Sequence, residues 1–359
     1  MNTYWKNIHA SFKLNGLQYS SDELLEFAKD LENKGAHYEI SIGIFLQQWL
    51  NEDESVIVKT SGSTGKPKEI KLLKSQMINS AKATGIFFKL AEKTTALLCL
   101  PSNYIAGKMM LVRAMVLGWD LHIVAPEKDA LTQYDNDYDF VAMVPYQVRH
   151  SLDALKKVHK LIIGGGTVSP ELNEKLQEVD TEAFATYGMT ETITHIAVRR
   201  INGLAKSTDF TALPNVKFTT DERGCLIIDA PNISDEKIIT NDLVKLISPT
   251  SFEWLGRFDN VINSGGIKIY PERIEEKLSS YINLPFIITS EKDELLGERI
   301  ILIFEDDGSQ KIPDFSLAFS KLSSYRRPKK IYTFSKFPFT ETGKIKRAEV
   351  LEALNSRDK

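Results

Sequence analysis

The chain has 359 residues, 42% of them hydrophobic and 26% charged, with a formal net charge of -3. That balance excludes a disordered chain, and the near-neutral charge gives no global field that would favour nucleic acid or an anionic membrane surface. The two cysteines, Cys99 and Cys225, lie inside apolar runs, which suits small core residues in a reducing compartment.

The N-terminal stretch MNTYWKNIHASFKLNG lacks the apolar centre of a secretory leader. The longest apolar region, Ile105 to Trp119, is interrupted by Lys108 and Arg113, so it reads as too short and too charged to cross a bilayer. A cytoplasmic protein is expected, with no membrane partner and about two domains. Short apolar runs predict strands at Ser55–Lys59, Thr95–Leu100, Asp120–Val124, Phe140–Val144, Lys160–Ile163 and Glu182–Ala185. Helical patterns between them cover Lys74–Ala91, Lys108–Leu117 and Pro170–Glu178. Such alternation predicts an α/β fold with parallel sheets flanked by helices and ligands at the carboxyl ends of the strands. The character changes near Gly256. A hairpin, a helix from about Pro271, strands at Ile287–Thr289 and Ile300–Phe304 and a helix over Pro313–Leu322 predict a small α+β domain. The expected division is 1–255, a hinge at 256–259, and 260–359.

Five stretches interrupt this core-building pattern. TSGSTGKPKEI, Thr60 to Ile70, packs glycines and hydroxyls behind Val56-Ile57-Val58. Successive N–H groups in such a turn form a nest for an anion. It is not a Walker loop, because only two residues separate Gly62 from Gly65-Lys66 and Pro67 follows. A hairpin tip with solvated lysines fits the composition equally well. IIGGGTVSP, Ile162 to Pro170, either admits a planar ring or phosphate against the main chain or is a tight strand-to-helix turn.

TYGMTETITH, Thr186 to His195, places Thr190 and Glu191 just past a strand. A carboxylate beside hydroxyls suits magnesium, which takes oxygen ligands and shares them with phosphate. The ring of Tyr187 could stack on a base; a capped helix start is the plainer reading. In TNDLVKL and GRFDNVINSGG, Asp242 could accept from a ribose diol and Arg257 offers a fixed fork of donors; singly, they read as surface charges. The tail from Tyr325 to Arg347 holds eight basic residues and one acidic residue, with Lys344 raised on the turn Thr342-Gly343. The six histidines form no ligand cluster, and only His195 lies inside a motif.

The order of these stretches is more specific than any one of them. TSGSTGKPK, GGGTVSP, YGMTET, TNDL, GRFDNVINSGGIKIYPERIEE and PFTETGK, in that sequence, resemble the adenylate-forming superfamily of acyl-CoA ligases, luciferases and peptide-synthetase adenylation domains. The resemblance runs from about Ser55 to Arg347. The region before the phosphate loop is much shorter than usual, so the N-terminal subdomain is expected to be trimmed. The resemblance implies the adenylate-forming fold, with a large N-terminal domain and a mobile C-terminal one. It also implies a two-step ligase that uses ATP, Mg²⁺ and coenzyme A. By position, Thr60, Ser61, Gly62, Ser63, Thr64, Gly65 and Lys66 resemble the phosphate loop. Gly164, Gly165 and Gly166 with Tyr187 resemble the adenine and acyl-pocket wall. Thr190 resembles an α-phosphate contact, Glu191 the magnesium ligand, and Asp242 and Arg257 the ribose anchors. Asn241 stands where the family usually has glycine. Asp259 resembles the hinge and Lys344 the mobile catalytic lysine, while Gly188 and Gly266 are assigned to the substrate side.

Within the family, LPSNYIAGKMMLVRAMVLGWDL is similar to the same stretch of o-succinylbenzoate–CoA ligases of menaquinone biosynthesis. The resemblance implies that Arg113 clamps the second carboxylate of that acid. The expected partners are a small carboxylic acid, ATP and CoA, with a homodimer left open. Another aryl or acyl ligase, one loading a carrier protein, is the alternative within the family. A non-catalytic nucleotide-binding protein of the same fold is the alternative outside it.

Overall fold

The computed structural model describes residues 3–59, 69–133, 135–306, 313–339 and 345–355. Helices α1 (Ser21–Lys34) and α2 (His37–Leu50) come first. Ser20 starts α1 with a reciprocal capping box: its hydroxyl accepts from the Glu23 amide and the Glu23 carboxylate accepts from the Ser20 amide. Helices α3 (Lys74–Phe88) and α4 (Ile105–Leu117) follow. The α4 helix is apolar on nearly every side, which marks a helix buried all round. Lys108 and Arg113, which break its apolar run in the sequence, are themselves inside, at 7% and 1% exposure.

The strands build one thirteen-stranded sheet among the described residues. Its first half is parallel: Lys13–Leu14, Asp120–Ile123, Thr95–Leu98, Tyr138–Met143, Val158–Ile163 and Glu182–Gly188 run side by side. Alternate residues serve opposite faces, as a two-residue period requires. Ala96, Leu98, Phe140, Ala142 and Ile162 join the core under α1–α4. Leu97, Cys99, Val141, Met143, Leu161 and Ile163 join a second core with Leu172 and Leu176. Burying one such side chain contributes about 1.5–3 kcal/mol, so both faces anchor the sheet.

From Glu182–Gly188 onward the sheet turns antiparallel. His195–Arg200 pairs with it, followed by Phe210–Ala212, Ser251–Arg257, Ile238–Ser248, Cys225–Asp229 and Lys217–Thr220. The large sheet is therefore mixed, parallel only in the half whose strands alternate with helices. A separate antiparallel pair, Ser55–Lys59 with Glu69–Leu73, is zipped as far as Lys59 opposite Glu69.

After Asn260 a second sheet forms from Ile267–Ile269, Ile262–Ser264, Gly297–Glu305 and Phe286–Asp293, with Lys330–Phe334 parallel to Gly297–Glu305. The helix Pro271–Leu278 packs on it through Ile274 and Leu278. Arg273 of this helix pairs with Glu253 of the large sheet, and Asn260 donates to Glu272 at 2.5 Å. The helix expected over Pro313–Leu322 is shorter, Ser316–Ser320. The Asp314 carboxylate accepts from the Ser316 amide and holds the preceding residues in a turn instead.

Candidate functional site

The segment from Thr186 to His195 carries two clusters, one toward each side. The first gathers on Asp242, which is 7% exposed. Its carboxylate accepts from the Tyr187 hydroxyl at 2.7 Å, the Trp254 indole at 3.2 Å and Arg257 Nη1 at 3.4 Å. Register explains the convergence, because Asp242 lies directly opposite Arg257 in the antiparallel ladder. The Tyr187 ring packs on Phe252 and Phe210, which aims the hydroxyl at Asp242. Burial, and then the Asp242 charge, push the Tyr187 phenol far above its ordinary value, so it stays a donor.

The cluster extends to the chain crossing between the two sheets. Arg257 Nη2 lies 3.6 Å from Asp259, and Asn241 Nδ2 donates to Asp259 at 3.2 Å. Arg223 donates to Asn241 Oδ1 at 3.0 Å and lies over the Phe258 ring. Asn241 thus bridges the large sheet and Asp259, a contact that glycine at this position would lack.

Thr190 and Glu191 form a single 3-10 turn after the strand Glu182–Gly188. Glu191 is exposed. The next residue but one, Ile193, sits at φ +65° and ψ -59°, with the Thr194 amide donating back to Thr192 carbonyl at 2.7 Å. This is a γ-turn, rare and strained for a β-branched residue, at a cost on the order of 1–3 kcal/mol. Complete burial of Ile193 holds it in place. The turn sends Thr194 and His195 back along the strand toward α4.

There they meet Arg113, the centre of the second cluster. Arg113 Nη2 donates to Thr194 Oγ1 at 3.4 Å and faces His195 Nδ1 at 3.4 Å. Nε donates to Thr84 Oγ1 at 3.3 Å, and among the described residues Nη1 faces only the Met110 sulfur at 3.6 Å. Among the described residues no carboxylate pairs with Arg113. Burial without such a partner lowers its guanidinium to about 9. The same burial, and Arg113 beside it, hold the His195 imidazole well below its ordinary value and therefore neutral. His195 also walls a cavity of about 190 Å³ with Ser80, Ala83, Leu213 and Val216. Arg113 is therefore an interior cation and not a charge on the surface of its helix.

Gly188 has a packing reason beside its expected substrate role: a Cβ there would meet the Thr194 carbonyl oxygen at 2.3 Å. Gly165 adopts φ +74°, and a Cβ on Gly164 would meet Thr186 Oγ1 at 2.6 Å. Gly166 abuts Pro145. Gly266 sits at the tip of the Ile262–Ser264 and Ile267–Ile269 hairpin with open space around it. Thr60, Ser61, Gly62, Ser63, Thr64, Gly65 and Lys66 lie outside the described residues, as does Lys344. The antiparallel bridge of Phe339 with Ile345 flanks Lys344 in the chain. Reading the sequence missed Trp254, for which there was no signal. It also missed Thr194 and His195 as partners of Arg113, although both end a motif it had marked.

No group of three or more potential metal-ligating side chains occurs among the described residues. One exposed carboxylate, Glu191, fits a magnesium ion that arrives on a nucleotide and keeps most of its oxygen ligands from phosphate and water. It does not fit a resident metal cage. No helix among the described residues is long and apolar enough to cross a membrane.

The family described as AMP-binding enzyme matches residues 16–231. The 2-succinylbenzoate–CoA ligase of Staphylococcus epidermidis is 25% identical over 83% of this chain and 70% of its own length. That of Listeria monocytogenes is 25% identical over 86% of this chain and 72% of its own. Among solved structures, an acyl-CoA synthetase (AMP-forming)/AMP-acid ligase II-like protein from Dyadobacter fermentans is 34% identical. It matches over 92% of this chain and 98% of its own, with a TM-score of 0.62. The o-succinylbenzoate CoA synthetase of Bacillus subtilis with its acyl-adenylate intermediate, 15% identical, covers 95% of each chain with a TM-score of 0.77.

Proposed function

The chain belongs to the AMP-binding enzyme family, and from that premise we propose that it is an AMP-forming acid–thiol ligase that converts o-succinylbenzoate to its CoA thioester. In the first step a carboxylate oxygen of the acid attacks the α-phosphorus of ATP. The bond from that phosphorus to the bridging oxygen breaks, and pyrophosphate leaves. In the second step the thiol sulfur attacks the acyl carbon, the carbon–oxygen bond to AMP breaks, and the thiol proton is lost to solvent.

The observation that carries this reading is the buried Arg113, which no carboxylate pairs among the described residues. An isolated buried cation is expensive, and proteins tolerate one where a ligand completes it. The acid has two carboxylates. One reacts, and the other is anionic and planar, the group that a guanidinium receives best. Arg113 therefore selects a dicarboxylate and orients its reacting end. Asp242, held by Tyr187, Trp254 and Arg257, is the ribose acceptor, and the Gly164–Gly166 turn with Tyr187 frames the adenine. Magnesium held by Glu191 neutralises phosphate charge when bound.

Lys344 draws the two anions together. Attacking carboxylate and phosphate repel, and a preorganised ammonium between them offsets charge that grows toward the transition state. One such donor is worth on the order of 10²–10³ in rate. Asp259 is the hinge about which residues 260–359 turn between the two steps, carrying Lys344 out and the Gly266 loop in. The supports are the motif order, the relatives' names and the bridged position of Asp259. The test is steady-state turnover with CoA and a panel of acids, quantifying AMP and thioester together. Equimolar AMP and thioester with o-succinylbenzoate, and little of either with benzoate or fatty acids, is the expected result. Thioester formed equally well from benzoate would overturn the substrate assignment.

A further inference from the structure

We infer that His195 is the positioning residue that lets Arg113 remain a buried, unneutralised cation aimed at the acid. The inference rests on the assignment of Arg113 to the second carboxylate and adds the device that makes it available.

The hydrogen-bond directions fix the tautomer. The Thr84 hydroxyl donates to the Ser80 carbonyl at 3.1 Å, so its lone pairs are left to accept. One accepts from Arg113 Nε at 3.3 Å. The other faces His195 Nε2 at 3.5 Å, which therefore carries the imidazole proton. Nδ1 is then an unprotonated acceptor, and it faces Arg113 Nη2 at 3.4 Å. Around Arg113 stand Thr84, Thr194, His195 and the Met110 sulfur, and all of them are neutral.

An aspartate or glutamate at position 195 would satisfy Arg113 better and cancel its charge, leaving nothing for an anionic ligand. An apolar residue would leave a donor stranded. A neutral imidazole accepts one hydrogen bond without supplying charge. Depressed basicity, from burial and from Arg113, keeps it in that form. With Nε and Nη2 engaged, the strong donors left unspent are on Nη1, whose present partner is a thioether. The acid is received there. His195 does not touch it; its effect passes through Arg113.

The test compares H195L, H195N and R113A by pyrophosphate exchange. H195L should raise KM for o-succinylbenzoate about tenfold or more, the worth of one hydrogen bond to a charged group. KM for ATP should be unchanged. The leucine has room beside the cavity of about 190 Å³ that His195 lines. H195N places an amide oxygen near the Nδ1 position and should recover most of the loss. A folded H195L with unchanged acid KM, or an H195N as impaired as H195L, would overturn the inference. Nitrogen-15 spectra of the wild-type imidazole provide a readout independent of any variant. The neutral Nε2–H form at pH 7 is expected, and an Nδ1–H form or imidazolium would refute the arrangement. If R113A leaves acid KM unchanged, the assignment of Arg113 falls and this inference with it. If R113A is impaired and H195L is not, only the role of His195 is lost.

Discussion

Replacing Arg113 with methionine separates binding from folding in one variant. Methionine keeps the unbranched stem and removes the charge. In the protein alone, Arg113 is held protonated although burial lowers it from 12.5 to about 9. At roughly 1.4 kcal/mol per tenfold change in proton affinity, that strain amounts to at most about 5 kcal/mol. The variant removes it but forfeits hydrogen bonds to Thr84, Thr194 and His195, each worth about 1.5 kcal/mol, the weak end for a charged donor. The two terms nearly cancel, so stability in urea unfolding without ligand should stay within about 1 kcal/mol of the wild type. Affinity for o-succinylbenzoate does not hold. Leaving the second carboxylate buried and unpaired costs about 3–5 kcal/mol, so KM for the acid rises on the order of 10²–10³-fold while KM for ATP holds. Unfolding curves and exchange kinetics on one preparation give both numbers. An Arg113→Met protein that is less stable and binds acid normally would show that Arg113 is a structural cation, and the substrate assignment would lose its support.

Lys344→Ala should abolish adenylate formation but largely spare thioester formation from supplied acyl-AMP, as single-turnover assays of each half-reaction would reveal; equal loss of both would argue against a lysine that leaves. Asn241→Gly removes the Arg223–Asn241–Asp259 bridge. The bridge is exposed and worth about 1 kcal/mol at most, so the ratio of the two half-reaction rates should shift by up to about fivefold, and glycine within the strand should lower stability by no more than about 2 kcal/mol in all. Lys108→Met should stabilise the protein at neutral pH. Burial lowers Lys108 from 10.5 to about 8. Below pH 8 the folded state bears the full cost of the buried charge. Between about 8 and 10.5 the unfolded chain binds more protons, and the wild type gains stability as pH rises. The advantage of the variant, up to about 3 kcal/mol, should therefore shrink across that window and vanish above it in pH-dependent urea unfolding.

The parallel half of the sheet was legible because its strands are short apolar runs, buried on both faces and separated by helical periods. Ser55–Lys59 and the helix start at Lys74 were read to the residue. The antiparallel half was not read. Strands such as Lys217–Thr220 and Phe210–Ala212 are short, the first mostly exposed and the second half-buried, and neither carries an apolar run to mark it. No element before Ser55 was assigned, although Ser20 and Glu23 spelled out a capping box. The site was legible as motifs and not as contacts. Asp242 and Arg257 were named, but the Trp254 indole on Asp242 follows only from pairing across the ladder. Lys108 and Arg113 were counted as breaks in an apolar run. Nothing local reveals that Arg113 meets Thr84 and His195, which lie 29 and 82 residues away in the chain.

The central claim is that a buried arginine and a moving lysine join a dicarboxylate to the α-phosphorus of ATP. Exchange of labelled pyrophosphate into ATP, with magnesium and one acid at a time, tests it most directly. Label should enter ATP when o-succinylbenzoate is present and at background rates with benzoate or fatty acids. Exchange with no acid in a broad panel, or equal exchange with monocarboxylates, would contradict it.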